Sequence, residues 1–145
     1  MATITHQLGI NSEPQQLTQA LSELDGLASW WTQQVSGNGC ADGVLQFRFN
    51  GEGFDMKVMQ MDERLVKWRC IGGPDEWIDT EIIFDIQVKE SGSELFFTHK
   101  GWESETPFHY HCSMKWAVFL LSLKTYLETG KGQPFPHGIS IAVES

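Results

Sequence analysis

Hydrophobic residues change their spacing along the chain, and each change marks a different kind of element. Residues 3–11 are rich in β-branched side chains, which is typical of a strand. Ser12 and Pro14 follow, and we expect a helix to begin there with Ser12 as its cap. Leucine and alanine then recur at helical intervals, and a second short helix is expected to carry Trp30 and Trp31. The pattern predicts one strand followed by two short helices.

Between Gly37 and Lys100 the spacing changes to alternation of apolar and polar residues, which indicates strands. The predicted strands lie near residues 45–49, 54–58, 64–71, 79–89 and 94–100, with turn residues between them. Met59 and Met61 fall on the opposite face from Met56, so either a face assignment fails or the strand bulges there. These segments predict antiparallel strands joined by hairpins.

The longest amphipathic helix is predicted over residues 108–129. Its apolar positions follow intervals of three and four: Cys112, Trp116, Phe119, Leu120, Leu123, Tyr126 and Leu127. Gly130 ends it, and the tail Lys131–Ser145 is predicted to be an irregular surface extension. The order of elements predicts an α+β fold in one domain, 1–145, whose curved antiparallel β-sheet wraps around the long C-terminal α-helix and leaves a cavity between them.

Acidic residues outnumber basic ones, and this restricts the classes of partner. Nineteen Asp and Glu against ten Lys and Arg give a formal charge of -9 and a pI near 4.9. A surface of this sign repels phosphate backbones and anionic membranes. No stretch approaches the roughly 18 apolar residues of a membrane span. We therefore expect no nucleic-acid partner and no membrane association.

The cysteines and the first residues indicate a cellular compartment. Cys40, Cys70 and Cys112 stand far apart, without a CxxC pair, which fits a reducing environment. The segment Met1–His6 lacks the basic and then apolar order of a secretory signal. A cytoplasmic location is the expectation.

Six Trp, nine Phe and two Tyr are more aromatic residues than a plain small core requires. Aromatic side chains also line ligand cavities. The candidate lining comes from elements that should converge between sheet and helix: Trp30, Phe47, Trp68, Phe84, Phe97, His99, Trp102, Trp116 and Leu120. A filled core of the same residues is the alternative. The leading hypothesis is a non-catalytic protein, without a cofactor, that binds a small hydrophobic or aromatic molecule.

Three segments carry the most specific patterns in the chain. They are the Trp30-Trp31 pair, the stretch 98–102, and Trp116 followed by 120–130. These segments resemble the START-like helix-grip superfamily, SRPBCC, and within it the branch related to the activator of the heat-shock-protein ATPase. The last segment is similar to that branch's Trp…LxxLKxYLExG ending. The resemblance implies a helix-grip fold and, for the wider superfamily, lipid and hormone carriers, polyketide cyclases and aromatases.

His99 is the one catalytic candidate. It shares a predicted strand face with Leu95 and Phe97, which points its imidazole inward. There it would hydrogen-bond a ligand or exchange a proton in a cyclase- or hydrolase-like reaction. A satisfied core histidine is the alternative interpretation. Spacing assigns it no carboxylate partner, so an enzyme stands as the second hypothesis.

The densest cluster of metal-ligand residue types lies at the start of the long helix, in His109, His111 and Cys112. Helical positions two apart diverge by roughly 200°, so the two histidines do not share a face. We expect no metal, and we predict Cys112 to be a small buried hydrophobe. The carboxylates within 75–81 are predicted to be solvated at a loop and strand edge.

A third hypothesis makes the protein an interaction module. In it, Trp30 and Trp31, or the tail, form an exposed docking patch for a chaperone partner. A homodimer stays open as well, because the sequence does not distinguish an exposed tryptophan from a buried one.

Overall fold

A computed structural model describes residues 1–143, in which three α-helices pack on a seven-stranded antiparallel sheet. Along the chain the elements are β1 (Ala2–Ile10), α1 (Pro14–Ser22), α2 (Leu24–Trp30), β2 (Gln34–Gly37), β3 (Val44–Phe49), β4 (Glu52–Met61), β5 (Leu65–Gly72), β6 (Glu81–Lys89), β7 (Gly92–Trp102) and α3 (Pro107–Thr129). The strand order is β1-β7-β6-β5-β4-β3-β2. Glu144 and Ser145, at the end of the predicted tail and domain, lie outside the described residues.

The predicted fold class is confirmed, since the curved antiparallel sheet holds the long helix α3 against its inner face. Inward residues of the sheet and one face of α3 form a single buried cluster. The sequence pattern missed only β2, a four-residue edge strand whose side chains are mostly exposed. Such a strand buries too little apolar surface to leave an alternating pattern.

Short hairpins join β3 to β4, β4 to β5 and β6 to β7, as predicted. Asn50 and Gly51 form the two-residue turn between β3 and β4, and their positive φ values of 58° and 94° suit the turn that matches strand twist. In β4 the pairing with β5 shifts between Val58 and Gln60, so the strand bulges there. The bulge returns Met61 to the side of Met56, where it packs against the core, while Met59 stays exposed.

A second irregularity places Trp102 inside the core. Simple alternation from His99 would point residue 101 inward and residue 102 outward. Gly101 has a φ of +94°, and the pairing of β7 with β1 slips by one residue beside it. Glycine adopts this conformation without strain, and the bulge turns both His99 and Trp102 toward the interior.

The predicted cap of α1 is wrong. Glu13, not Ser12, occupies the cap position, and no side chain accepts a hydrogen bond from the first turn. The Ser12 hydroxyl instead donates to Gln16 Oε1 at 3.0 Å. Pro14 opens the helix as expected, because its missing N–H needs no partner there.

The predicted surface tail is only partly correct, because one segment returns to the body of the protein. The Phe135 N–H donates to the Trp31 carbonyl at 2.7 Å, and its carbonyl accepts from the Gln33 N–H at 3.3 Å. The Phe135 ring packs edge-on against Phe49, with centroids 5.2 Å apart. The tail therefore covers the outer end of the sheet.

Candidate functional site

A cleft of about 680 Å³ opens between the first half of α3 and the end of the sheet where β3 and β4 meet. Most of its wall is aromatic: Trp31, Phe49, Phe54, Trp77, Phe108, Trp116, Phe119 and Phe135. Four side chains supply polar or titratable groups: Glu52, His111, Cys112 and Lys115. The combination of a large apolar wall with few polar groups is that of a small-molecule site.

Helical spacing brings the α3 part of the wall together. Phe108, Cys112, Lys115, Trp116 and Phe119 recur at intervals of three and four, so they share one face of the helix. The side chain of Thr106 accepts a hydrogen bond from the His109 N–H and caps the helix start. The α3 side of the cleft wall is therefore one face of a regular, capped helix.

On the opposite wall, Phe54 and Trp77 form a parallel stack. Their ring centroids lie 3.8 Å apart with an interplanar angle of 7°. Trp77 ends a short 3₁₀ helix, Asp75–Trp77, that follows Gly73 and Pro74. Gly73 has a φ of +136°, which turns the chain back over the sheet and carries the indole inward. The two rings provide a flat apolar surface.

Of the nine candidate lining residues, the structure places only Trp116 on the cleft wall. The other eight lie deeper, within the packed core: Trp30, Phe47, Trp68, Phe84, Phe97, His99, Trp102 and Leu120. The reason is close ring packing under the middle of α3. Phe97 lies 4.5 Å from Trp116, and Trp68 lies 5.0 Å from Phe84, measured between ring centroids. The space between the middle of α3 and the sheet is therefore filled by side chains, and the cleft lies beside this packed region.

The docking patch expected at Trp30 and Trp31 is wrong. Both indoles are buried, at 0% and 2% exposure. Trp31 stacks parallel on Trp68 with centroids 6.0 Å apart, and Trp30 donates to the Ala20 carbonyl at 2.8 Å. Consecutive residues at the end of a helix both reach the interior here because α2 is enclosed between the sheet and α3. The pair is structural, and Trp31 also borders the cleft.

Seven of the eight aromatic wall residues were missed as lining: Trp31, Phe49, Phe54, Trp77, Phe108, Phe119 and Phe135. The interpretation of 75–81 as a solvated edge fits Asp75 and Glu76, which are exposed, but not Trp77, which is 3% exposed. The available signal was the Gly72-Gly73-Pro74 turn immediately before a tryptophan. A sharp turn of this kind can aim a following side chain back at the sheet.

His99 is held in a closed hydrogen-bond network. Its Nδ1 accepts from the Trp116 indole N–H at 3.1 Å, and its Nε2 lies 2.8 Å from the Thr80 hydroxyl. The Thr80 hydroxyl donates onward to the Trp77 carbonyl at 2.6 Å. This chain of donors assigns the proton of the neutral imidazole to Nε2.

The surroundings of His99 keep it neutral. Burial, and to a smaller extent the nearby His109, lower its pKa from 6.5 to about 3. The ring is fully buried, both nitrogens are occupied, and it does not border the cleft. The arrangement is that of a satisfied core histidine.

Burial shifts the pKa values of two groups on the cleft wall, the Cys112 thiol and the Lys115 ammonium. Burial raises the pKa of the Cys112 thiol to about 11, so the sulfur stays protonated and unreactive at neutral pH. Cys112 is 5% exposed, as the sequence predicted for a small buried hydrophobe. Burial also lowers the pKa of Lys115, whose ammonium lies 5.1 Å from the centroid of the Phe119 ring.

The histidines at the start of α3 point in different directions. His109 is buried against Trp102, with centroids 4.8 Å apart, whereas His111 is exposed at the cleft. Within residues 1–143 no group of three or more His, Cys, Asp or Glu side chains is arranged to hold a metal ion. None of the helices in that range is long and apolar enough to cross a membrane.

Comparison with solved structures gives the relatives of this architecture. The Aha1 dimer from Colwellia psychrerythraea is 45% identical, with a TM-score of 0.85, and the match covers 91% of this chain and 100% of that one. DynU16, from the dynemicin biosynthetic locus, is 17% identical with a TM-score of 0.76, covering 90% of this chain and 48% of that one. CalU16 from Micromonospora echinospora is 14% identical with a TM-score of 0.69, covering 89% and 75%. No family model and no curated protein sequence matches the chain.

An antiparallel sheet that grips one long helix, with a cleft beside that helix, is the helix-grip fold. The 45% identity over the whole length of the Colwellia protein fixes the family. The chain belongs to the Aha1 family, the branch of the activator of the heat-shock-protein ATPase. The resemblance drawn from the three sequence segments is confirmed.

Proposed function

We propose that this protein binds a small hydrophobic or aromatic molecule in the cleft between α3 and the β3–β4 end of the sheet. The observation that carries the proposal is the wall itself, where eight aromatic side chains surround about 680 Å³ of space. A volume of roughly 300–1,000 Å³ suits a molecule of drug or metabolite size. The role is that of a carrier or sensor of such a molecule.

Partial exposure of the wall supports a site that is open to ligands. Phe49, Phe54, Phe108 and Phe135 are only half-buried, although each borders the apolar cleft. Aromatic surface left in contact with water gains free energy when a ligand covers it, at about 25 cal/mol per Å². A rigid apolar body entering between these rings would bury them.

Binding without catalysis is supported by the groups at the wall. Among the described residues, no hydrogen bond joins Cys112 to a histidine or a carboxylate that would activate it. A cysteine nucleophile needs such a base or a lowered pKa, and here the pKa is raised to about 11. His99, the candidate for proton exchange, is occupied by Trp116 and Thr80.

The proposal is tested by ligand affinity in a pair of variants. Phe108→Ala removes a wall ring, and the control Ile71→Ala removes an exposed apolar side chain of β5, outside the cleft and away from the helix. With 2-naphthamide as the probe in isothermal titration calorimetry, Phe108→Ala should bind about tenfold more weakly than wild type, the loss of about 1.4 kcal/mol of apolar contact. Ile71→Ala should bind like wild type. Equal effects of the two variants would contradict the location of the site.

A homodimer is proposed as the state in which the protein acts. Two observations support it: the similar Colwellia protein is described as a dimer, and α3 carries an exposed apolar stripe. Tyr110, Met114 and Leu121 are 56%, 57% and 57% exposed, and their spacing of four and seven puts them on one face. Light scattering coupled to size exclusion should give twice the 16.4 kDa mass for wild type and a monomer for Met114→Glu. A wild-type monomer at high micromolar concentration would overturn this proposal.

A reducing compartment, the cytoplasm, is proposed as the place of action. All three cysteines are free in the structure, and Cys70 and Cys112 are buried as thiols. Free thiols persist where glutathione and thioredoxin keep them reduced. Fractionation with a tagged chain should recover the protein with cytoplasmic markers, and recovery in an oxidising compartment would contradict the assignment.

A further inference from the structure

We infer that the molecule bound in the cleft is an apolar carboxylic acid, whose carboxylate is recognised by the Lys115 ammonium and the Trp77 indole N–H. This inference rests on the proposed function and names the chemical class of its ligand. Its basis is that two donors on residues of the cleft wall have no oxygen acceptor of their own among the described residues.

Lys115 is a cation in an apolar position. Its side chain is half-buried beside Phe119, and its ammonium pairs with no carboxylate in the part of the chain that the structure describes. The lowered pKa reflects the loss of hydration at this place. Taking an ammonium out of water costs free energy unless an anion compensates it. An anionic ligand group would supply that compensation.

Trp77 presents the second donor. The side chain is 3% exposed, and its buried Nε1 has no oxygen or nitrogen acceptor among the described residues. The group that it meets is the Cys112 thiol, also on the cleft wall, whose sulfur is only a weak acceptor. A buried N–H without a strong acceptor costs free energy, which is why such groups are rare. Trp68 and Trp102 also have unpartnered Nε1 atoms, but neither borders the cleft. Trp77 alone of the three lies on the cleft wall, where a carboxylate oxygen would replace the sulfur as its acceptor.

The acidic group on the cleft does not reverse this preference. Glu52 stands at the exposed start of β4, where water solvates its carboxylate. It forms no ion pair with Lys115. The formal charge of -9 opposes anions at long range, but a Debye length of about 8 Å at physiological ionic strength screens most of that repulsion. The two donors on the cleft wall therefore determine which head group binds. The rings of Phe54 and Trp77 contact the apolar body of the ligand.

The test uses two matched pairs of probes: 2-naphthoate with 2-naphthamide, and decanoate with decanamide. Within a pair the apolar body is the same, and the anionic carboxylate is replaced by a neutral amide of similar shape. Isothermal titration calorimetry on the wild-type protein should give a tighter dissociation constant for at least one acid than for its amide, by about tenfold, as a charge-assisted hydrogen bond provides. Lys115→Gln should abolish that preference and leave amide binding unchanged, whereas Lys115→Arg should retain it.

Two further variants complete the test: Lys57→Gln controls for net charge, and Trp77→Phe removes the second donor. Lys57→Gln makes the same change in net charge at an exposed, unpaired lysine of β4 outside the cleft, and the preference for the acid should persist. Trp77→Phe replaces the indole with a smaller aromatic ring that lacks the N–H, so it should weaken the acid and the amide together by about three- to tenfold.

The outcomes distinguish this inference from the function on which it rests. Equal binding of acid and amide by wild type, or a preference that survives Lys115→Gln, overturns the carboxylate inference and leaves a hydrophobic-ligand cleft in place. Absence of binding by all four probes to folded wild-type protein overturns both. Thermal unfolding of each variant, with a transition close to that of wild type, confirms that the compared proteins are folded.

Discussion

The indole N–H of Trp116 donates a 3.1 Å hydrogen bond to Nδ1 of the buried His99, while the same side chain forms part of the cleft wall. One residue thus belongs both to the polar network of the core and to the wall of the cleft. The network continues through Thr80 to the backbone carbonyl of Trp77, whose indole also borders the cleft. The two aromatic walls are therefore joined behind the cleft by hydrogen bonds, and this connection holds them in fixed positions.

Replacing Trp116 by Phe should destabilise the protein by about 2 to 3 kcal/mol, because the buried Nδ1 of His99 loses its donor and a smaller ring leaves space. Urea unfolding followed by circular dichroism measures the loss. The double variant Trp116→Phe/His99→Phe should lose less unfolding free energy than the two single variants lose in sum. Strict additivity would show that the two side chains are not coupled.

The stability of the protein should fall as the pH drops below 6.5, and His99 should be one cause. Its pKa is about 3 in the folded state, so between pH 6.5 and pH 3 the unfolded chain takes up a proton that the folded protein excludes. At pH 5 this amounts to about 2 kcal/mol of lost unfolding free energy.

The matched control for the pH effect is His99→Gln, whose amide oxygen can accept from Trp116. The other four histidines are the same in both proteins, so they cancel in the comparison. The unfolding free energy of wild type should decrease by about 2 kcal/mol more than that of the variant between pH 7 and pH 5. Parallel pH profiles would contradict a neutral, buried His99.

The three cysteines should react at very different rates with iodoacetamide. Cys40 is exposed, whereas burial raises the pKa values of Cys70 and Cys112 to about 11. A rise from 9.0 to about 11 lowers the thiolate fraction about a hundredfold. Mass spectrometry should find one rapid modification, at Cys40, in folded protein and three in urea. Rapid labelling of Cys112 would show that the α3 side of the cleft wall is not packed as described.

Gly53→Ala should destabilise the protein strongly, because a methyl group at this position would lie 1.8 Å from the Phe47 carbonyl oxygen. The backbone at the edge of the cleft must move, at a cost of about 1 to 3 kcal/mol or more. Gly51→Asn is the control: position 51 has a left-handed φ that asparagine tolerates, and its surroundings are open. A thermal shift similar for both variants would disprove the close approach at Gly53.

The sequence pattern was sufficient for the fold because the inward positions of the strands repeat at period two and those of α3 at three to four. Residues such as Phe84, Phe97 and Leu123 reveal their faces by spacing alone. The exceptions are local. The Gly101 bulge reverses the face of residue 102, and the Gly73–Pro74 turn aims Trp77 inward, both through backbone angles that spacing does not record.

The location of the cleft was less predictable than the fold for a different reason. Inward-facing aromatics were expected to surround a cavity, but whether rings fill a space or border it depends on the distance between α3 and the sheet. Under the middle of the helix the rings of Phe97 and Trp116 are 4.5 Å apart and fill the space. At the first turns of α3, the wall is completed by Phe135 from the tail and Phe54 from β4, so the site needs tertiary contacts between distant segments.

Ligand binding in the cleft is tested most directly by the indole N–H signals in a ¹H–¹⁵N NMR spectrum during titration with 2-naphthoate. The six tryptophans divide equally: Trp31, Trp77 and Trp116 border the cleft, and Trp30, Trp68 and Trp102 lie outside it. The first three signals should shift in a saturable manner, with Trp77 moving furthest as its N–H exchanges the weakly accepting Cys112 sulfur for a carboxylate oxygen. Saturable shifts confined to the second set, or no shift at millimolar probe, would contradict a ligand site in this cleft.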